Sequence, residues 1–318
     1  MYRVALINVY MGKLPNYFQL WLESAKANEH VDFYLFTDAL ETIELDNVHI
    51  INMSFVEVKE LIKKTVGIQN TEYSPYKICD FKPCYSTIFA EYIKEKYDWY
   101  GNCDLDVIFG DISKFCCEDE ILNNYEQVLG RGHLTIYKYP DTIDWYKMPS
   151  RRYNWKEVLE SPYNYAFDEW NGVVRTAFEA HKKQYLKEVC ADISFAKYRM
   201  TLGNGENYMY QTFMYDHGRI YQLYLENGII KHKEYAYIHL QKRTLNFDEY
   251  KIRDKFYILH NKFLPWYPIR TKIDFLKLNP PSNLVFSVQY MLKRIKWKRE
   301  RMRKKKKITN EKLKSLLI

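Results

Sequence analysis

The chain predicts an α/β protein whose mixed, mainly parallel sheet is sandwiched by helices, and three observations point there. Apolar runs of strand length alternate with amphipathic stretches at helical spacing through residues 4–97. Those runs are apolar almost throughout, as strands covered on both faces require. Polar loops follow the runs at Asn8 to Lys13 and at Thr37 with Asp38, and open α/β sheets gather ligands at such strand ends.

Taken in order, R-V-A-L-I-N-V-Y reads as the first buried strand. Phe18, Leu20, Trp21 and Ala25 then fit a helix opening near Pro15. V-D-F-Y-L-F-T and N-V-H-I-I-N-M read as further strands, and Phe55, Val58, Leu61 and Ile62 give the next helix its apolar face. Asp80 and Pro83 resemble a helix start before Ile88, Phe89, Tyr92 and Ile93. W-Y-G-N-C-D-L-D-V-I-F-G-D follows, with Gly101 and Asn102 as a turn, V-I-F as a buried strand and Asp111 as a cap on the helix after it. G-H-L-T-I-Y-K is another strand, and residues 140–190 form a Trp- and Tyr-rich, irregular and helical insertion. R-I-Y-Q-L-Y-L-E-N-G-I-I-K carries an Asn-Gly turn between apolar runs, a hairpin signal. E-Y-A-Y-I-H-L-Q-K-R is a late strand with a polar end, and N-P-P-S at 279–282 marks the clearest break in composition.

Composition narrows the class. Apolar residues at 47% and charged residues at 28% describe an ordinary globular body. Between Lys293 and Lys307 stand 11 Lys or Arg and one Glu, against 37 basic and 39 acidic residues elsewhere. A nearly neutral body with a basic end argues against a broad nucleic-acid surface. Tyr is abundant at 30 residues, which suits sugar or protein contacts but follows equally from coding bias. Six cysteines without a C-x-x-C pair read as reduced thiols of a cytosolic protein. The N-terminus lacks the pattern of a signal peptide, and no apolar run is long enough to span a bilayer.

The one D-x-D of the chain is Asp104-Leu105-Asp106. On a strand, residues two apart share a face, so both carboxylates would point one way and repel unless a cation or donors compensate. Mg²⁺ and Mn²⁺ are held by one or two carboxylates plus substrate phosphates. The spacing alone fits equally a solvated pair that leads into a strand.

L-P-N-Y-F-Q-L-W-L-E-S, D-F-Y-L-F-T-D, K-I-C-D-F-K-P-C-Y, D-W-Y-G-N-C-D-L-D-V-I-F-G-D-I and I-H-L-Q-K-R, in this order, resemble a bacterial family of predicted glycosyltransferases, the DUF6625 type, with a GT-A nucleotide-sugar-binding fold. The similarity covers about residues 1–245. It implies a GT-A-like catalytic domain over residues 1–248; the composition beyond it suggests a packed extension over 249–280 and a basic amphipathic or partly disordered tail over 281–318. It also implies a hexosyltransferase-type enzyme that moves a sugar from a nucleotide-sugar donor, UDP-linked, to a glycan or lipid-linked glycan acceptor in surface polysaccharide synthesis (capsule, LPS or exopolysaccharide). Asp104 and Asp106 would bind Mn²⁺ or Mg²⁺ under the donor diphosphate, with His239 completing the shell. Lys82, Lys242 and Arg243 are candidate cations for the diphosphate, and Asn8, Tyr10, Thr37, Asp38 and Asp80 candidate nucleotide contacts. Each has an ordinary reading as loop or cap chemistry, and for Asp80 capping is the simpler one. On the acceptor side, Asp168 and Glu169 beside Trp170 combine carboxylates with a ring able to stack on sugar. Asp168, Glu169 and Asp192 are the candidate catalytic acids or bases.

Leu284, Phe286, Val288, Met291, Leu292, Ile295 and Trp297 could form one side of an interfacial helix whose basic residues meet anionic headgroups. This places the protein in the cytoplasm, peripheral on the inner face of the membrane, with no specific nucleic acid expected. Two other readings remain open at this point: a nucleotidyltransferase or phosphosugar transferase on a similar fold, and a non-catalytic protein that binds membrane or nucleic acid.

Overall fold

A computed structural model describes residues 2–70, 72–93, 97–194, 199–203, 205–241, 243–248 and 251–278, together with 288, 291, 292, 294–296 and 299. In chain order the strands are β1 (Val4–Tyr10), β2 (Val31–Thr37), β3 (Ile43–Leu45), β4 (Val48–Asn52), β5 (Trp99–Cys103), β6 (Val107–Phe109), β7 (Gln127–Arg131), β8 (Leu134–Lys138), β9 (Gln184–Tyr185), β10 (Cys190–Ser194), β11 (Arg199–Leu202), β12 (Gln211–Asp216), β13 (Arg219–Glu226), β14 (Ile229–Tyr235), β15 (Tyr237–His239), β16 (Lys255–Ile258) and β17 (Phe263–Pro265). The two long helices of the amino-terminal half are α1 (Phe18–Lys26) and α2 (Phe55–Val66).

The largest sheet has the order β3-β4-β2-β1-β5-β8-β7-β9. Strands β4, β2, β1 and β5 are mutually parallel, while β3 and β8 run against their neighbours. This is the mixed, mainly parallel α/β arrangement expected. Its two faces are covered differently. Val4, Leu6, Phe33 and Leu35 pack with Trp21 and Ala25 of α1, whereas Ala5, Ile7, Tyr34 and Phe36 pack with Val58, Leu61 and Ile62 of α2. Alternate residues of β1 and β2 thus feed two cores, which is why the runs read as apolar throughout. Helix α2 starts at a capping box of Ser54 and Glu57 and stops at Gly67, whose φ of 77° is left-handed.

Two smaller sheets, β11-β10-β15-β6 and the antiparallel β14-β13-β12-β16-β17, adjoin the first. The hairpin β13–β14 turns through Asn227 and Gly228, both at positive φ, as the Asn-Gly signal predicts. Strands β16 and β17, from the segment read as an extension, pair into the sheet of β12 to β14.

Three expectations need correction. Asp80 does not cap a helix: Pro75 opens a 3₁₀ segment over Pro75–Cys84, and Asp80 is fully buried inside it, in an ion pair with Lys77. Gly101 and Asn102 are strand residues of β5 rather than a turn. A Cβ on Gly101 would stand 2.4 Å from the Thr135 carbonyl oxygen, so the close approach of β8 demands glycine there. Asp104 and Asp106 do not share a strand face, because the triplet is a bend between β5 and β6. Asp111 does accept from the Lys114 amide and the Ser113 hydroxyl at the start of the helix Ser113–Cys116.

All six cysteines are free thiols, and five are buried. Among the described residues no helix is long and apolar enough to cross a membrane. Of the tail, Leu284, Phe286 and Trp297 lie outside the described residues; Val288, Met291, Leu292 and Ile295 are exposed.

Candidate metal centre

Strands β1 and β5 pair in parallel register, Leu6 opposite Gly101 and Ile7 opposite Asn102, so their carboxyl ends arrive together. Asn8, buried, donates its side-chain amide to the Cys103 carbonyl at 2.7 Å and ties the last residue of β5 to β1. The chain then leaves the sheet. The Asp104 amide bonds the His133 carbonyl, and the Trp21 indole donates to the Asp104 carbonyl. Leu105 plugs into the α1 core. The Asp106 carbonyl accepts from the Leu240 amide at 2.6 Å, and β6 pairs with β15, setting Val107 opposite His239. Asp104 is therefore held at the edge of the large sheet and Asp106 at the edge of the second.

This crossing brings ligand atoms of Asp104, Asp106 and His239 within 4.8 Å of one another. Nε2 of His239 lies 3.4 Å from Oδ2 of Asp106, and its Nδ1 lies 3.3 Å from Oδ2 of Asp192, which stands opposite His239 in the β10–β15 register. A second grouping, His133, Asp192 and His239, is equally close. There the two imidazoles stack, with centroids 4.0 Å apart and planes 24° apart, so their in-plane lone pairs run side by side instead of meeting at a point. The first grouping is the better ligand set. Two carboxylates and one imidazole suit Mn²⁺ better than Mg²⁺, which prefers oxygen alone.

A cavity of about 220 Å³ opens over this group, lined also by Lys82, His133, Asp168, Glu169 and Gln241. A larger depression of about 650 Å³ lies by the start of β2, where Asp32 stands, away from the carboxyl ends of the parallel strands. The chemistry favours the smaller one. Nζ of Lys82 stands 2.7 Å from Oδ1 of Asp104, 3.2 Å from Oδ2 of Asp168 and 2.6 Å from the Gly132 carbonyl, which also accepts from Asn102.

The titration behaviour follows from these contacts. Burial opposes the charged form of His239, but hydrogen bonding to Asp106 and Asp192 outweighs it and raises its pKa to about 10. Burial lifts the Asp168 carboxyl to about 6 against the pull of Lys82. Burial works against the Lys82 charge as well, yet Asp104 and Asp168 hold its pKa well above normal. Burial, with His239 close by, pushes His133 well below its usual range, so its ring is neutral.

Of the residues singled out in the sequence, Lys82, Asp104, Asp106, Asp168, Glu169 and His239 meet at this cavity, and Asp192 reaches it through His239. The other described ones do not line it. Tyr10 donates to the Lys13 carbonyl, Thr37 accepts from the Ala39 amide, and Asp38 accepts from the Gly12 amide at 2.6 Å. With Asn8 they brace the strand ends beside the site. Arg243 donates to the Leu240 and His260 carbonyls. Lys242 lies outside the described residues. Asp80 works from behind: it accepts from the amides of Tyr165 and Phe167 and so pins the segment leading to Asp168. Sequence reasoning missed His133, Lys77 and Gln241, whose side chain donates to Asp192 at 2.6 Å. No local pattern in the sequence marks these three; Gly132, next to His133, shows its role only in the fold, where a Cβ would lie 2.8 Å from Oδ2 of Asp168.

Residues 6–266 match the family described as "Family of unknown function (DUF6625)". No curated protein matches the chain. Among solved structures, the galactosyltransferase LgtC in complex with donor and acceptor sugar analogues is 12% identical with a TM-score of 0.33, over 59% of this chain and 75% of that one. Mouse xyloside xylosyltransferase 1, apo form, is 7% identical with a TM-score of 0.35, over 61% and 88%. An active-site mutant of LgtC is 11% identical with a TM-score of 0.34, over 64% and 80%. Likenesses this remote do not say what the chain does.

Proposed function

The chain belongs to the DUF6625 family, and from that premise we propose that it is a metal-dependent glycosyltransferase using a nucleotide-sugar donor. The observation that carries this reading is the convergence of Asp104, Asp106 and His239 at the carboxyl edge of a parallel sheet, under a cavity that also holds a buried lysine. Carboxyl edges of such sheets are where nucleotides dock.

Glycosyl transfer leaves negative charge on a departing diphosphate. A Mn²⁺ held by these three residues would supply charge stabilisation there when bound. The chain's own groups prepare for it. The Asp192 carboxylate faces Nδ1 of His239 and so favours the tautomer that leaves Nε2 as the ligand nitrogen. Asp192 thus serves as a positioning residue. Lys82 balances Asp104 and Asp168, and adds positive charge next to where the diphosphate would sit. Asp168, with a pKa of about 6, has the proton affinity of a base that works near neutrality, and it is our candidate for taking the acceptor hydroxyl proton. Glu169 lies beside it on the cavity wall.

The reading extends to a UDP-linked donor and to a lipid-linked glycan acceptor in surface polysaccharide synthesis. The 11 basic residues between Lys293 and Lys307 would hold the enzyme at an anionic membrane surface on the cytoplasmic side, at roughly 1 kcal/mol for each residue near the lipid. Flotation with anionic liposomes tests this part: binding that survives deletion of residues 281–318 overturns it. For the activity, calorimetric titration with UDP should give binding that requires Mn²⁺ and disappears in Asp106→Asn. Binding without metal, or full retention in the variant, refutes the site. A screen of nucleotide sugars for metal-dependent hydrolysis then identifies the donor.

A further inference from the structure

A second cavity of about 260 Å³ lies next to the metal centre, and Trp170, Arg131, Glu188 and Leu186 are among its lining residues. We propose that it is a sugar subsite that holds a non-reacting pyranose of the acceptor glycan. The inference rests on the glycosyltransferase reading above and deepens it.

Position is the first support. Three segments contribute neighbouring residues to both cavities: Arg131 here with Gly132 and His133 there, Trp170 here with Asp168 and Glu169 there, and Tyr237 here with His239 there. Consecutive Cα atoms are only about 3.8 Å apart. The linings of the two cavities are therefore neighbours along three segments of the chain, and a ring over Trp170 would adjoin a hydroxyl held by Asp168.

Chemistry is the second support. Trp170, on the cavity wall, is 45% exposed and offers its ring there, while Phe178, off the wall, leans on it at 53° with centroids 5.7 Å apart. Leaving rings of this size in water forgoes the gain of burying them. A pyranose presents a C–H face that such a ring can cover and a rim of hydroxyls that need polar partners. Those partners are at hand, since Arg131 pairs with the mostly buried Glu188 at the same cavity. Lys187 on the same wall leaves one positive charge over, while the paired guanidinium and carboxylate are placed as hydrogen-bonding groups for hydroxyls. The volume falls just below the roughly 300–1,000 Å³ of drug-sized ligand pockets, which fits a single ring rather than a chain.

The test is saturation-transfer NMR on the full chain with methyl β-galactopyranoside, methyl β-glucopyranoside and N-acetylglucosamine at millimolar concentration. Ring-proton signal is expected from at least one sugar, reduced about fivefold in Trp170→Ala, the scale of one lost aromatic contact, and weakened in Arg131→Ala. Calorimetry with UDP and Mn²⁺ serves as the control, and both variants should bind as the parent does. If the parent binds UDP with Mn²⁺ but gives no sugar signal, or a signal that both variants leave unchanged, the subsite is overturned while the function stands. If Trp170→Ala fails the control, Arg131→Ala alone decides. Loss of UDP binding in the parent counts against the function itself.

Discussion

Metal uptake at Asp104, Asp106 and His239 should compete with a proton. The His239 pKa of about 10 means that at neutral pH its ring is held as the cation between Asp106 and Asp192. A ligand nitrogen must be neutral, so binding must first remove that proton. At about pH 7 the gap of three units costs about 4 kcal/mol, at 1.36 kcal/mol per unit. Mn²⁺ affinity should accordingly rise about tenfold for each pH unit between about 6.5 and 8.5. Calorimetry in two buffers of different ionisation heat should count about one proton released per Mn²⁺ bound. In His239→Gln both the slope and the proton release should vanish, with affinity reduced. A flat pH profile, or an unchanged slope in His239→Gln, refutes the reasoning. In the metal-free protein the same raised pKa adds stability that is fully present below about pH 6.5 and is lost as pH rises through about 10.

Other outcomes follow from the same geometry. Lys77→Met leaves Asp80 buried without its counter-ion; stability to urea should fall by about 3–5 kcal/mol, with faster hydrogen exchange at the Tyr165 and Phe167 amides. Asp168→Asn should retain binding of UDP with Mn²⁺ but lower the transfer rate by about 10²–10⁴, as loss of a general base does; a rate within twofold of the parent removes Asp168 from that role. Gly101→Ala drives a methyl into the Thr135 carbonyl and should cost about 1–3 kcal/mol or more in thermal or urea unfolding.

What the sequence made legible was local or periodic. Strands β1 and β2 were readable because both of their faces are buried, α2 because Ser54 and Glu57 cap it, and the β13–β14 turn because Asn227 and Gly228 tolerate positive φ. Asp104, Asp106 and His239 could be named, but the reason for their meeting could not. The shared strand face does not exist, and His239 is brought to the two aspartates by β15, more than 130 residues further along. Asp80 was misread for a related cause. Its helix-start signals are local, whereas its partners are Lys77 on the same 3₁₀ segment and a loop some 85 residues away. The placing of Asp192 against His239 is set by the β10–β15 register, which no nearby residue encodes. Arg243 carried the right charge on the right segment, but its guanidinium donates to the backbone carbonyls of Leu240 and His260.

Leu105, anchored in the α1 core between the two aspartates, pins the point where the chain crosses from one sheet to the other. One half of the candidate ligand set is attached to the large sheet and the other to β6 and β15. An ion seated there would bolt two sheets together, and a slide of one past the other would pull the ligands apart. Metal loading would then be a gauge of sheet alignment: a substitution at the seam, such as Leu105→Ala, should weaken Mn²⁺ affinity in calorimetry although Asp104, Asp106 and His239 are all still present.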